Sequence, residues 1–262
     1  MEKINLWENT PGNCSEAVTM DAFIPKERTT DGAVIIFPGG AYSHRAEHEG
    51  KGYAEFLFKQ GIAAFVVNYR VAPFKFPLPL LDARRAIRFV RANALKFNIN
   101  PDKIAVIGSS AGGHLISILS GYHEKIDFEG IDEIDDYSYE PNYQIFAYPL
   151  LALSNMNVSH FDSIKNLLGE EKLSEICNLD MTIDMKSAPY TFMWFTSDDD
   201  VNVKNILLYA SKLKDLNLPF EMHVFQSGRH GLGLAEEYPH VAQWSKLLMN
   251  WLKEIKFIGG IN

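Results

Sequence analysis

One serine stands in a setting suited to nucleophilic catalysis. Residues 108–112 read G-S-S-A-G, a G-x-S-x-G motif centred on Ser110, between an apolar run at 104–107 and a helix-like segment at 113–119. A strand, a tight turn and a helix in this order expose the serine, and the glycines permit the strained, closely packed backbone of the turn. We therefore predict that Ser110 attacks an acyl carbon, whereas Ser109, which lacks glycines at this spacing, is structural. An isolated motif can also be a turn without chemistry, so the prediction depends on its partners.

A serine hydroxyl needs a base, and one histidine follows the last apolar run at the expected place. His230 lies in Q-S-G-R-H-G at 226–231, directly after the run at 220–225. The order serine, acid, histidine is the one that follows such a turn. We expect His230 to accept the serine proton. The other candidates lack a supporting motif and are interpreted as packing or surface residues: His114, His123, His160, His223 and His240.

The acid that orients this base should follow the preceding strand. The segment T-S-D-D-D-V at 196–201 comes after the run at 191–195 and holds three consecutive carboxylates. One of them is expected to hold one imidazole nitrogen of His230 while the other nitrogen accepts the serine proton. The spacing alone leaves both Asp198 and Asp199 open.

Backbone amides that bind a developing oxyanion are expected at two places. The helix after the serine directs its first N–H groups at the reaction centre, which makes Ala111 one donor. The segment F-P-G-G-A-Y at 37–42 follows the run at 33–37 and offers Gly40 and Ala41 as further donors. A pair of glycines is by itself only a loop signal, and its pairing with the serine motif favours the functional interpretation.

The elements that must position these residues alternate between short β-branched runs and longer amphipathic segments. The runs cover 17–24, 33–37, 63–69, 104–107, 143–148, 191–195 and 220–225, and helical stripes occupy 81–97 and 241–255. This alternation predicts an α/β fold with a mainly parallel, twisted central sheet and helices on both faces. A length of 262 residues suits a single domain, 1–262.

Two charged stretches carry their own expectations. Four arginines of the segment 81–97 are expected on its solvated surface: Arg84, Arg85, Arg88 and Arg91. The acidic stretch 124–140, with eight carboxylates and one lysine, is expected to be an exposed excursion, either a solvated face or a lid over the active site. The solvated face is preferred because charge runs are usually solvated.

Composition restricts the partners. A formal net charge of −8 argues against nucleic acid or an anionic membrane as partner, because both attract clustered Lys and Arg.

The first residues lack the features of a signal peptide, and no run of about 18 apolar residues occurs, so a cytoplasmic location is expected. The two cysteines stand apart, and His44 and His48 have no evident third ligand, so no metal is predicted. No oligomeric state can be derived from the composition.

The ordered motifs resemble a known group of enzymes. They include P-G-G-A-Y at 38–42, N-Y-R-V-A-P at 68–73, N-P-D-K-I at 100–104, G-S-S-A-G-G-H-L at 108–115 and G-R-H-G-L-G-L at 228–234. Together they resemble the α/β-hydrolase esterases related to acetyl xylan esterases and other carbohydrate or small-ester deacylases. The resemblance implies the α/β-hydrolase fold with a small lid or none. It also implies these roles: Ser110 as nucleophile, His230 as base, and Gly40, Ala41 and Ala111 as the oxyanion region.

The acid loop departs from the pattern of that group. Its members usually carry Asp-x-x-Val-Pro, whereas this chain has Val201 followed by Asn202 and is one residue shorter. Counting back from Val201 selects Asp198, and counting forward from the strand selects Asp199. We predict Asp199 as the acid, because a deletion is more easily absorbed in a loop after the residue than in the strand before it.

The resemblance points to a serine carboxylic-ester hydrolase. The expected substrates are small molecules with short acyl esters, among them O-acetylated sugars or xylo-oligosaccharides, and Tyr42 is a candidate for lining a sugar site. The reaction would pass through an acyl-enzyme on Ser110 without a metal or organic cofactor. Two alternatives stay open: an amide hydrolase of the peptidase or arylformamidase kind, and a non-catalytic binding protein that keeps the fold.

Overall fold

The computed structural model describes residues 1–12, 14–155, 158–170, 179, 183, 190–197 and 201–259. Within this part of the chain, eight strands form one sheet. They are β1 (Glu2–Asn5), β2 (Thr19–Phe23), β3 (Ala33–Phe37), β4 (Ala63–Asn68), β5 (Ile104–Ser109), β6 (Tyr143–Ala147), β7 (Thr191–Thr196) and β8 (Phe220–Phe225). The α-helices described are α1 (Glu47–Lys59), α2 (Leu78–Ala92), α3 (Ala94–Phe97), α4 (Ala111–Gly121), α5 (Phe161–Leu168), α6 (Lys204–Asp215) and α7 (Trp244–Glu254).

The sheet is mainly parallel. Its strand order is β1-β2-β4-β3-β5-β6-β7-β8. Strands β3 to β8 run parallel, and β1 and β2 join antiparallel at one edge. Helices α1 and α7 cover one face and meet through Tyr53 and Trp244, whose ring centroids lie 5.6 Å apart, while α2, α4 and α6 cover the other. The predicted α/β fold is confirmed.

All seven β-branched runs become strands, and the edge strand β1 is the one that the sequence did not indicate. Because helices cover both faces, all five residues of β3 are buried, so this strand is a continuous apolar run. In β1 only Ile4 is buried, and a four-residue edge strand with one apolar residue gives no periodic signal. The predicted helix at 81–97 begins earlier, at Leu78, and divides into α2 and α3 at Asn93.

Three of the four arginines of α2 are buried, which corrects the expectation of a solvated surface for them. Arg84, Arg85 and Arg88 expose 1%, 2% and 8% of their area, and Arg91 is partly exposed. Arg85 binds Asp132 at 2.6 Å and Asp135 at 3.0 Å. The buried guanidinium of Arg85 is tolerated because its charge is paired and its Nε, Nη1 and Nη2 all donate to acceptors.

The carboxylates come from the acidic stretch 124–140, most of whose residues are exposed as expected, but which is docked on α2 through these ion pairs. Glu129 bridges Arg84 at 3.0 Å and Arg88 at 2.9 Å. The ring centroid of Tyr139 lies 4.3 and 5.0 Å from these two guanidinium groups. None of the residues of the stretch, all of which the structure describes, lines the active-site cavity presented below. The stretch is therefore a partner of α2, and the lid interpretation gains no support.

Replacing Arg85 with methionine is expected to destabilise the fold by about 2 to 3 kcal/mol. Methionine keeps much of the length, but Asp135, which is 4% exposed, loses a partner at 3.0 Å, and the carbonyl of Leu6 loses a donor at 2.8 Å. The loss stays below that of a fully buried pair because Asp132 is 43% exposed. Urea unfolding of variant and wild type at neutral pH measures the difference.

Lys96→Met is the matched control, because it removes a cation from an exposed pair with Glu2, 3.9 Å apart. We expect it to change the free energy of unfolding by less than about 0.5 kcal/mol.

Hydrogen bonding to Arg85 holds the pKa of Asp132 below its usual range. The stabilisation is therefore full above the unfolded-state pKa and is lost as the pH falls through the lowered pKa of Asp132. The difference between Arg85→Met and wild type should narrow in acid, and a difference that is independent of pH would contradict the ion-pair explanation.

Candidate active site

Ser110 lies on the tight turn between β5 and α4. Its backbone is at φ +48° and ψ −117°, a conformation that costs a residue other than glycine roughly 1–3 kcal/mol. A Cβ on Gly108 would lie 2.3 Å from the carbonyl oxygen of Gly112, and a Cβ on Gly112 would lie 2.0 Å from the carbonyl oxygen of Phe37. Either contact would force the turn apart. The glycines of the G-x-S-x-G motif therefore meet a steric requirement.

His230 faces this serine from the loop after β8. Its Nε2 lies 2.8 Å from Ser110 Oγ, a distance suited to proton transfer. The ring of Tyr148 packs edge-on against the imidazole, with centroids 5.1 Å apart. Ser109 is instead fully buried and donates to Tyr53 Oη at 3.0 Å, a contact within the core. The structure thus brings together the residues predicted as nucleophile and base, whose catalytic roles are proposals.

The predicted acid lies outside the described part of the chain. Residues 198–200, which include Asp198 and Asp199, do not belong to it. The strand before them, β7, runs parallel to β8 as its direct neighbour. The loops after both strands therefore leave the same edge of the sheet, and one of them carries His230. The choice of Asp199 stays a prediction.

The predicted oxyanion loop has a strained backbone. Gly40, Ala41 and Tyr42 have φ angles of +124°, +52° and +57°, and left-handed conformations are costly for residues with a Cβ. Hydrogen bonds offset the cost. Asn166 Nδ2 donates to the carbonyl of Ala41 at 2.9 Å, and the amide of Ala72 donates to the carbonyl of Tyr42 at 2.7 Å. The loop is thereby fixed in one shape, as preorganised donors require.

The loop and the serine open on a common cavity of about 380 Å³. Gly40, Ala41, Ser110 and His230 all line it. In the described part of the chain, no backbone carbonyl accepts from the amides of Gly40 and Ala41. Ala111 is buried as the first residue of α4, where its amide belongs to the unpaired helix N-terminus.

Basic side chains form another part of the cavity wall: His44, His48, His160 and Arg229. His160, which we interpreted as a packing or surface residue, thus also borders the cavity of the serine. It stands at the start of α5, with Nδ1 2.9 Å from Ser163 Oγ, and no motif near it in the sequence indicated the site. His48 Nε2 donates to the carbonyl of Gly231 at 2.9 Å, which ties α1 to the loop that carries the base.

Tyr42 does not line a sugar site, which corrects another expectation. Its side chain is 1% exposed, and its Oη lies 2.7 Å from His114 Nδ1. The other ring nitrogen of His114 lies 3.0 Å from the carbonyl of Leu179. Burial, and then the neighbouring Tyr69, raise the pKa of Tyr42 well above its usual range, so the hydroxyl stays protonated. Tyr42 and His114 are core residues beneath the loop.

Sequence reasoning missed Glu49, a buried carboxylate in the first turn of α1. It is 2% exposed and lines the cavity of the serine. Its Oε2 accepts from the amide of Gly39 at 2.7 Å, and its Oε1 accepts from Tyr148 Oη at 2.7 Å. Burial, followed by the charge of Glu49, raises the pKa of Tyr148 well above its usual range, so this hydroxyl can donate at any working pH. An acidic residue at a helix start usually reflects the helix dipole, which is why its position gave no signal.

Two absences concern the described residues only. No group of three or more His, Cys, Asp or Glu side chains among them is arranged to hold a metal ion. No helix among them is long and apolar enough to cross a membrane. The absence of a metal or cofactor and the cytoplasmic location stay predictions.

A serine on a strained strand-to-helix turn, faced by a histidine after the last strand of a mainly parallel sheet, defines the α/β-hydrolase fold. Residues 20–213 match the BD-FAE family. The match covers well over half of the sequence, so the chain belongs to the BD-FAE family.

Similar proteins agree with this assignment. An acetyl ester-xyloside bifunctional hydrolase from Caldicellulosiruptor lactoaceticus is 40% identical, with a TM-score of 0.91 over 98% of this chain and 97% of that chain. An acetylxylan esterase from Xylanibacter ruminicola is 32% identical over 90% of this chain, and endo-1,4-beta-xylanase B from Butyrivibrio fibrisolvens is 30% identical over 89%. The chain spans only 48% and 38% of the length of these two curated relatives. The predicted resemblance to acetyl xylan esterases is confirmed. The relative named an acetylxylan esterase supports the assignment of this chain to the carboxylic ester hydrolases.

Proposed function

We propose that residues 1–262 act as a single α/β-hydrolase domain that hydrolyses short acyl esters, with O-acetylated sugars or xylo-oligosaccharides as the natural substrate class. The observation that carries this proposal is the 2.8 Å contact between Ser110 Oγ and His230 Nε2. It occurs in a cavity that is also lined by Gly40 and Ala41. The relative named acetylxylan esterase supports the acetyl ester as the substrate bond.

The proposed mechanism is acyl transfer through a covalent intermediate. Ser110 Oγ attacks the ester carbonyl carbon as His230 Nε2 takes its proton, and the amides of Gly40, Ala41 and Ala111 bind the oxyanion. The resulting tetrahedral intermediate collapses to the acyl-enzyme, which breaks the bond to the alcohol, and the alcohol leaves with the proton from His230. Water then attacks the acyl-enzyme, His230 again accepts a proton, and the carboxylic acid and free serine are formed. Asp199 is proposed to orient His230 throughout.

The shape and lining of the cavity support a small acyl group on a polar alcohol. A volume of about 380 Å³ lies near the lower end of the range for ligand pockets. His44, His160 and Arg229 offer hydrogen-bond donors on its wall, which suit sugar hydroxyls better than a long alkyl chain.

Acetate release from acetylated xylo-oligosaccharides tests the proposal directly. We expect release by the wild type, faster hydrolysis of p-nitrophenyl acetate than of the octanoate, and labelling of the protein by a fluorophosphonate at Ser110. The matched amide, p-nitroacetanilide, should react far more slowly. Preferred cleavage of the amide would replace the ester proposal by an amide hydrolase. The absence of both turnover and labelling would favour a binding protein.

A further inference from the structure

We infer that Glu49 is a positioning residue. It holds the oxyanion loop (residues 39–42) and the loop after β8 that carries His230, here called the loop of the base, in fixed positions relative to Ser110. This inference rests on the proposed function, because it concerns the same site. Its basis is a buried hydrogen-bond network that ends on one carboxylate and touches all three functional segments.

The first branch of the network holds the oxyanion loop. Glu49 Oε2 accepts from the amide of Gly39 at 2.7 Å. Gly39 directly precedes Gly40, and its backbone packs on the nucleophile so closely that a Cβ there would lie 3.0 Å from the Cβ of Ser110. The carboxylate therefore fixes the peptide that sets the direction of the following amides.

The second branch reaches the loop of the base. Tyr148 Oη donates to Glu49 Oε1 at 2.7 Å and accepts from the amide of Gly233 at 2.8 Å. Gly233 lies three residues after His230, and the Tyr148 ring also packs against the imidazole at 5.1 Å. Tyr148 itself is held at φ +38°, a strained conformation that aims its ring and hydroxyl at these partners.

The third branch reaches the residue before the nucleophile. Ser109 Oγ donates to Tyr53 Oη at 3.0 Å, and Tyr53 Oη lies 3.2 Å from Tyr148 Oη. With Ser109 as donor, Tyr53 is left to donate to Tyr148, and Tyr148 to donate to Glu49. Every proton in this chain points toward the carboxylate, so a group at position 49 must accept on both sides.

This requirement distinguishes a carboxylate from an isosteric amide. In Glu49→Gln, one orientation of the amide places its NH₂ against the N–H of Gly39, which sets two donors against each other. The other orientation places the NH₂ against Tyr148 Oη, whose proton then loses its acceptor. Either way one buried donor is unsatisfied, and the adjoining loop must shift.

The test compares Glu49→Gln and Tyr148→Phe with the wild type. We expect kcat for p-nitrophenyl acetate to fall by about 10- to 100-fold in both variants, with KM changed by less than about 3-fold, since donors to the oxyanion act in the transition state. The affinity for an aryl trifluoromethyl ketone, which forms a tetrahedral adduct with Ser110, should fall in parallel with kcat/KM. The double variant should lose far less than the product of the two single losses.

Glu47→Gln is the control, because it removes the same charge from an exposed position in the same helical turn; it should retain the wild-type kcat. If Glu49→Gln fails to fold, Tyr148→Phe carries the test alone. A variant with a lower Tm but with kcat and inhibitor affinity of the wild type, assayed well below its Tm, would overturn the inference. A wild type that neither hydrolyses esters nor reacts with a fluorophosphonate would overturn the proposed function as well. Equal rates of fluorophosphonate labelling in the wild type and in Glu49→Gln would overturn only the role of Glu49.

Discussion

Replacing Ser110 with alanine is expected to lower kcat/KM for p-nitrophenyl acetate by about 10⁴- to 10⁶-fold. Without Oγ no acyl-enzyme forms, and only substrate binding and the oxyanion donors remain to assist direct attack by water. Alanine keeps the Cβ that the turn already accommodates at φ +48°, so the fold should be retained. Assays at high enzyme concentration, together with the Tm of variant and wild type, measure both expectations.

Two serine variants separate the loss of the nucleophile from the loss of a buried hydroxyl. Ser120 lies in α4, the helix that begins directly after Ser110. It is 1% exposed and donates to the carbonyl of Ile116 at 3.0 Å. Ser120→Ala should therefore retain the wild-type rate and lose about 1 kcal/mol of stability. Ser109→Ala removes a donor to Tyr53, and its rate should stay within about ten-fold of the wild type. Turnover that survives in Ser110→Ala and disappears in Ser109→Ala would contradict the assignment of the nucleophile.

The central part of the fold could be predicted because its sequence is constrained by burial on two sides. A strand such as β3, with no exposed residue, must be an unbroken apolar run, and its neighbours obey the same rule. The edge strand β1 was not predicted because only one of its residues, Ile4, is buried, so burial restricts the type of a single residue. Prediction therefore succeeds for the strands that helices cover and also for the half-exposed edge strand β8, which is six residues long, and it fails for β1, where a single buried residue leaves no pattern.

The serine and its base could be predicted for a different reason. The turn at Ser110 admits only glycine at the positions two before and two after it, since a Cβ at either would lie within about 2.3 Å of a carbonyl oxygen. Such steric requirements leave a short motif at a fixed spacing. His230 follows from its place after the last strand, because parallel strands deliver their following loops to one edge of the sheet.

The partners that the sequence did not reveal are charges whose pairing is non-local. Arg85 and Asp132 are 47 residues apart, and Glu49 reaches Tyr148 across 99 residues. A charge on a helix is interpreted as solvated when its partner is unknown. This default was wrong for the buried arginines of α2, and it gave no reason to single out Glu49 in α1. Local pattern carries no information on which distant carboxylate will neutralise a buried cation.

The choice between the candidate acids can be made by measurement. We expect Asp199→Asn to lower kcat by about 10³- to 10⁴-fold with little change in KM. The amide of asparagine can donate to the imidazole nitrogen that the carboxylate would accept from, so it favours the tautomer with a proton on His230 Nε2. That nitrogen must accept the proton of Ser110, and in this tautomer it cannot. Labelling by a fluorophosphonate should slow in parallel with kcat, because both reactions need the serine deprotonated.

Asp198→Asn and Asp200→Asn remove the same charge from adjacent positions, and each should stay within about ten-fold of the wild type. Because the three variants share the change in net charge, a large difference among them isolates the geometry at His230. A large loss in Asp198→Asn alone would mean that the missing residue lies between β7 and the acid, so that counting back from Val201 was the correct rule. Small and equal losses in all three would remove this loop as the source of the orienting carboxylate.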